Sequence, residues 1–318
     1  MLIRTVLFAT FMMLLAFDST LSAVDMLYVS TYSQNTNSST INTYNTYGND
    51  GSSIAGTSRI FATSNLSNLG GLAFDSLGNL YVSNVTNDSI DKYNSAGVYL
   101  SNITGNQSAP EGLAFDSLGN LYVANWRSSS ISKFDSSGNF LSSISTSLIE
   151  GLYSLHHPNG LAFDPSGNLY VANVFNNTIS KFDPSGVYLS RMAVFGTLDY
   201  PNCLAFDSSG NLYVTNGGIN NINKFNSDGI YISTIGGSSN LNNPVGLTID
   251  SLGNLYAANV GNNTISKFDS SGNFLTSWNT GLEPHYLAFK PSTVPEPSTY
   301  TLVCIATGVL ACLARRMR

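Results

Sequence analysis

Short apolar runs separated by turn residues make up most of this chain. The stretch from residue 158 to 189, PNGLAFDPSGNLYVANVFNNTISKFDPSGVYL, holds four of them: LAF, NLYVA, TISKF and GVYL. None has the length or the spacing of a helix, so the pattern predicts four strands. The first and third turns are both Asp-x-x-Gly, Asp164 to Gly167 and Asp183 to Gly186. In such a turn Asp accepts bonds from the turn amides while Gly takes the positive φ that closes a tight hairpin. Between the second and third runs stand Asn173, Asn176 and Asn177, again turn residues.

The same unit recurs, beginning at Gly71, Gly112, Gly160, Cys203 and Gly246, with starts 41, 48, 43 and 43 residues apart. A four-stranded meander repeated every roughly 40–45 residues is the mark of a β-propeller blade. The ends of the chain complete the count. Residues 26–30, MLYVS, match the second strand of the unit and residues 39–45, STINTYN, match the third, but no first strand precedes them. That strand stands at residues 286–290, YLAFK, where no second strand follows. Joining the halves gives a sixth blade and removes the two edge strands that an open solenoid would expose. The expected fold is all-β: a six-bladed β-propeller of four-stranded antiparallel blades over residues 24–293, its last blade closed by N- and C-terminal strands.

Composition agrees, with 42% hydrophobic and 10% charged residues, as expected of strands covered on both faces by neighbouring blades. One lysine per unit, Lys92, Lys133, Lys181, Lys224 and Lys267, occupies the same third-strand place, which reads as repeat copying at a partly solvated position. A net charge of −6 with no basic run in the repeats argues against a nucleic-acid partner. There is no Gly-x-Ser-x-Gly, no His-Glu-x-x-His and no phosphate loop before a helix.

The flanks carry address signals. Residues 1–23 have a single Arg4, an apolar core from Val6 to Phe17 and a small-residue exit at Leu21-Ser22-Ala23, the layout of a secretory signal peptide. Cys203 is the lone thiol between the two flanks and has no partner for an internal disulfide. Residues 294–318 run Val-Pro-Glu-Pro-Ser-Thr, then an apolar stretch from Tyr300 to Ala314, then Arg315, Arg316 and Arg318. This tail resembles the PEP-CTERM sorting signal of Gram-negative bacteria: a Pro-Glu-Pro motif, a hydrophobic helix and a basic end. The resemblance implies membrane anchoring through that helix, processing by an exosortase, and release to or retention at the cell surface.

The repeats, GLAFDSLGNLYVAN followed by NNTISKFDSSG, resemble NHL repeats, which build six-bladed propellers. One departure stands out. NHL units usually end the second strand with Asp, and here the residue is Asn84, Asn125, Asn173, Asn216 and Asn259. The change removes a ring of carboxylates, while Asn still caps the turn.

In such a blade the loop before the first strand and the loop between strands two and three share one face. These loops vary between copies while the Asp-x-x-Gly turns barely change, so a ligand such as a glycan or a protein is expected on the variable face. Candidates there are Trp126, Arg127, His156 and His157, with Tyr153, Phe175, Phe195 and Tyr200 as further aromatics able to stack on sugar rings. The residue before each repeat Gly should line the mouth of the central channel: Gly70, Glu111, Asn159, Asn202, Val245 and His285, the last preceding Tyr286 in place of Gly. Glu111, Asn159, Asn202 and His285 are candidates to hold Ca²⁺ or another divalent cation. Related propeller families, lactonases and streptogramin lyases, place metal and catalytic groups near such a mouth, but this mouth has only one histidine in position. The function expected is therefore a non-catalytic binding or structural module at the surface or in the exopolysaccharide matrix of a Gram-negative-type bacterium. A divalent-cation-dependent extracellular lactonase or lyase is the alternative.

Overall fold

The structure, a computed structural model, describes residues 26–33, 38–46, 58–62, 66–149, 152–192 and 196–290. Six four-stranded antiparallel sheets stand around a central axis. Five come from consecutive sequence; in the third, for example, Pro158–Phe163 is innermost, followed by Leu169–Asn173, Thr178–Phe182 and Tyr188–Met192 at the rim. The sixth joins the two ends of the chain. Glu283–Phe289 lies innermost and pairs with Met26–Ser33, which pairs in turn with Ser38–Asn45 and then Ser58–Ala62. Leu27 faces Phe289 across that seam and Tyr44 on its other side. The innermost strands touch one another in cyclic order, the composite blade meeting both the first and the fifth.

The Asp-x-x-Gly turns form as the sequence chemistry requires. In the first blade Asp75 Oδ1 accepts the amides of Leu77 and Asn79, Oδ2 accepts from Asn79 Nδ2, and Gly78 takes φ +77°. The extra spacing before the third blade is used by a small hairpin of Leu148–Ile149 and Leu152–Tyr153.

The core lies between blades. The Phe of one innermost strand meets the second-strand Tyr of the preceding blade edge to face, as in Tyr81 with Phe115, Tyr122 with Phe163 and Tyr170 with Phe206, all at 5.0 Å. Each such pair contributes about 0.5–1.5 kcal/mol beyond its buried area. The repeated lysine covers the same Tyr: Lys133 Nζ stands 4.8 Å from the Tyr122 ring centre and 3.4 Å from Asp116 of the first turn. Lys267 departs from the expected partial solvation, being buried over Tyr256, with desolvation pulling its pKa down.

The repeat glycine allows the inner strands to approach. A Cβ on Gly71 would stand 2.7 Å from the Glu111 carbonyl oxygen, and one on Gly160 would stand 2.5 Å from that of Asn202. Two positions of this ring carry side chains instead, Cys203 and Tyr286, and both line the axial cavity.

Among the described residues no helix is long and apolar enough to cross a membrane. The expected signal peptide, the hydrophobic tail and the loop aromatic Phe195 lie outside the described residues.

Candidate functional site

The Asn that ends the second strand in the five blades of consecutive sequence organises the variable face. Asn173 Oδ1 accepts the His156 amide at 3.0 Å, while its Nδ2 donates to Ser180 Oγ at 2.9 Å. Ser180 Oγ in turn donates to the Ser154 carbonyl at 2.5 Å. The same relay runs from Asn125 through Ser132 to the Asn106 carbonyl, and from Asn259 through Ser266 to the Asn240 carbonyl. An ionised Asp cannot donate, so it would take the Ser proton that now satisfies the loop carbonyl. Asn at this position therefore holds the loop as well as capping the turn.

A second set of bonds links blade to blade on the same face. In the second to fifth blades the amide of the residue before the innermost strand donates to a turn side chain of the preceding blade: Ala109 to Asp88 Oδ1 (2.6 Å), His157 to Ser129 Oγ (3.2 Å), Tyr200 to Asn177 Oδ1 (2.9 Å) and Asn243 to Asn220 Oδ1 (2.6 Å). Both residues of each pair lie at positive φ, His157 at +52° and Ser129 at +50° for example.

This frame gathers the aromatic candidates. Phe175, on a 3₁₀ turn after the third blade's second strand, has its ring centre 4.4 Å from that of His157, 5.4 Å from that of Trp126 and 6.4 Å from that of Tyr200. Trp126 and His157 meet edge to face at 5.0 Å, His156 lies 5.1 Å from His157, and Tyr153 lies 5.7 Å from His156. The cluster thus spans three blades, with Tyr153, Phe175 and Tyr200 about half exposed at 50%, 51% and 49%. Burial first, and neighbouring His156 second, push the His157 imidazole below its usual pKa. Its Nδ1 is buried with no hydrogen-bond partner among the described residues. Arg127 makes a loose, exposed contact with Asp88, 3.6 Å from Nη1 to Oδ2, and a pair of this kind adds little stability.

At the channel mouth the structure brings two of the four cation candidates together. Tyr286 sends its hydroxyl across the axis, where it donates to Asn159 Oδ1 and lies 3.4 Å from Glu111 Oε2. Gly70 and Gly71 leave the first blade's side of the axis without side chains; a Cβ on Gly70 would stand 3.0 Å from Glu111 Oε2. Burial raises the Glu111 carboxyl to about 7, with the Tyr286 bond opposing. Burial, followed by the Glu111 charge, lifts the Tyr286 phenol well above its usual range. Asn202 turns away, its Nδ2 donating to the Pro244 carbonyl at 3.3 Å. His285 Nε2 lies 3.8 Å from Glu283 Oε2, and burial keeps its pKa low. Among the described residues no three His, Cys, Asp or Glu side chains gather as a metal-holding group. Below Tyr286 the axis widens into a cavity of about 200 Å³, lined in part by Cys203, whose thiol burial drives to about 11.

Tyr286 had no role in the sequence reading. The available signal was a large aromatic standing where the repeat demands Gly.

Comparison with known proteins agrees with this architecture. The NHL repeat family matches residues 241–268, and the PEP-CTERM protein-sorting motif matches residues 293–318. The motif supports an exported, cell-surface protein and in general implies exosortase processing. No curated protein matches the chain. Among solved structures, a chain of a nidogen/laminin complex superposes with a TM-score of 0.70 at 21% identity, covering 85% of this chain and 99% of that one. A virginiamycin B lyase from Staphylococcus aureus gives 0.57 at 16% identity, covering 70% and 77%. A protein of unknown function from Bacteroides caccae gives 0.61 at 15% identity, covering 85% and 100%. At these identities the likeness is one of fold.

Proposed function

We propose that this NHL-repeat six-bladed propeller, with its PEP-CTERM sorting motif, is an exported, non-catalytic binding module that acts at the bacterial cell surface or in its exopolysaccharide matrix. In this reading residues 1–23 are the signal peptide, 24–293 the propeller and 294–318 the sorting tail with its membrane helix. The observation that carries the reading is the aromatic cluster on the variable face. Trp126, His157 and Phe175 are packed into fixed orientations, and Tyr153, Phe175 and Tyr200 offer exposed ring faces on a rigid ring of sheets. Flat apolar faces bordered by Asn and Ser suit pyranose rings, which present C–H groups on one side and hydroxyls at the edge.

Against a catalytic reading stands the mouth itself. Asn159 Oδ1 already accepts the Tyr286 hydroxyl and Asn202 is turned toward Pro244, so a cation held by Glu111, Asn159, Asn202 and His285 would require both to rearrange.

A glycan array probed with the purified protein tests the proposal. Binding to a set of polysaccharide fragments is expected, weakened about tenfold by Phe175→Ala, in line with the roughly 0.5–1.5 kcal/mol that an aromatic contact contributes. An array on which the wild-type protein binds nothing, or on which Phe175→Ala binds as well as wild type, would defeat it.

A further inference from the structure

Each blade buries one third-strand residue at the same place in its register. In the composite blade and the five others these are Asn42, Asp91, Ser132, Ser180, Asn223 and Ser266. From the second to the fifth blade the residue is a donor: Ser132 to the Asn106 carbonyl, Ser180 to that of Ser154, Asn223 to that of Thr197 and Ser266 to that of Asn240. The first blade alone has a carboxylate there. Asp91 is 2% exposed, and Asn84 Nδ2, 3.0 Å from its Oδ2, is its hydrogen-bond donor among the described residues. No described cation pairs with it. Lys92, next in sequence, reaches instead to Asp75 and the Tyr81 ring, and Arg127 reaches to Asp88. Burial accordingly raises the Asp91 pKa.

Asp91 borders a crevice of about 550 Å³ lined also by Ser67, Asn87, Ser89, Asn102 and Thr104. The sheet register explains this convergence. Asp91 faces Asn102 across the two outer strands, and Ser89 faces Thr104 one pair further on the same side of the sheet. The leucine before the first strand is buried in the third, fourth and fifth blades, as Leu155, Leu198 and Leu241, whereas the equivalent Leu66 beside the crevice is only partly buried. A buried carboxylate with no cation partner among the described residues, in a crevice lined by Asn, Ser and Thr side chains, has the chemistry of a hard-cation site.

We propose that the first blade's crevice binds Ca²⁺, with Asp91 as the one carboxylate and with side-chain oxygens of Asn102, Asn87 and the neighbouring hydroxyls, together with water, completing the shell. A single carboxylate gives a weak site, with a Kd of roughly 10⁻⁴–10⁻³ M, the range of extracellular modules. The site lies on the first blade, apart from the aromatic cluster that the second to fourth blades carry on the same face, and does not depend on the glycan reading.

Tb³⁺ serves as the probe, because Tyr99 lines the crevice and can sensitise its emission. The purified protein should show tyrosine-excited Tb³⁺ luminescence that millimolar Ca²⁺ displaces. Asp91→Ser, which installs the residue of three other blades, should weaken Tb³⁺ binding at least tenfold while leaving the melting temperature in EDTA no lower than wild type. If that variant does not fold, Asn102→Ala at the exposed rim should weaken binding at least threefold. Undiminished Tb³⁺ binding by these variants, no Ca²⁺-displaceable signal in the wild type, or loss of the signal in Glu111→Gln but not in Asp91→Ser would each overturn the proposal. So would a crevice that responds to a neutral sugar and not to the cation.

Discussion

Replacing Glu111 by Gln isolates the electrostatic consequence of filling the axis with Tyr286. Burial raises the Glu111 carboxyl from its usual 4.5 to about 7 in the folded ring. A displacement of that size is equivalent to about 3 kcal/mol of folded-state preference for the protonated acid. Because the folded pKa lies above the unfolded one, the folded state holds the proton more tightly. Its contribution is fully present below about pH 4.5 and is lost as pH rises through about 7. Wild-type stability should therefore fall by about 3 kcal/mol relative to Glu111→Gln between pH 4.5 and 8, the difference between the two curves cancelling every other titrating group. Urea unfolding at half-unit pH intervals measures it. Removing the phenol with Tyr286→Phe deletes the hydrogen bond that now favours the anion, so in that background the fall should be larger. Curves for wild type and Glu111→Gln that run parallel within about 0.5 kcal/mol across this window would refute the burial of the carboxyl.

Two further substitutions probe the scaffold. Gly160→Ala would drive a methyl group to 2.5 Å from the Asn202 carbonyl oxygen and 2.7 Å from Cys203 Cα, so the urea midpoint should drop by the equivalent of about 1–3 kcal/mol; a loss under about 0.5 kcal/mol would show that the inner strands have slack. Asn173→Asp should cost about 1–3 kcal/mol at neutral pH, because the anion cannot donate to Ser180 and the Ser154 carbonyl loses its donor. Acid should restore part of this loss as the carboxyl gains a proton to give, and a melting-temperature deficit independent of pH would contradict the relay.

Blade count, strand order and the joining of the two ends were legible because turn chemistry repeats with the unit: Asp-x-x-Gly fixes two hairpins per blade, and the unmatched LAFK and MLYVS fragments complement each other. The face carrying the candidates was legible for the same reason. Side-chain direction at the mouth was not. Glu111, Asn159, Asn202 and His285 occupy equivalent places, yet the first two turn to a phenol from across the axis, the third to a neighbouring carbonyl and the last to Glu283. Equivalence in sequence fixes the backbone position, whereas a side chain follows whatever stands opposite, here the gap left by Gly70 and Gly71. The partners of the lysine ladder were equally out of reach of the sequence, although its partial solvation holds for Lys92, Lys133, Lys181 and Lys224. Its partners Tyr122 and Asp116 lie 11 and 17 residues before Lys133 and meet it only through strand register. Asp91 was visible as a break in a column of Ser and Asn, but its significance required knowing that the column is buried.

The composite blade also decides how the molecule is presented. Met26 and Lys290 stand side by side, the Lys290 amide directed at the Met26 carbonyl at 3.4 Å, and Lys290 reaches Gly78 of an Asp-x-x-Gly turn. Both described ends of the propeller thus lie on the underside, opposite Trp126 and Phe175. A propeller held through Lys290 would turn its aromatic cluster away from the point of attachment.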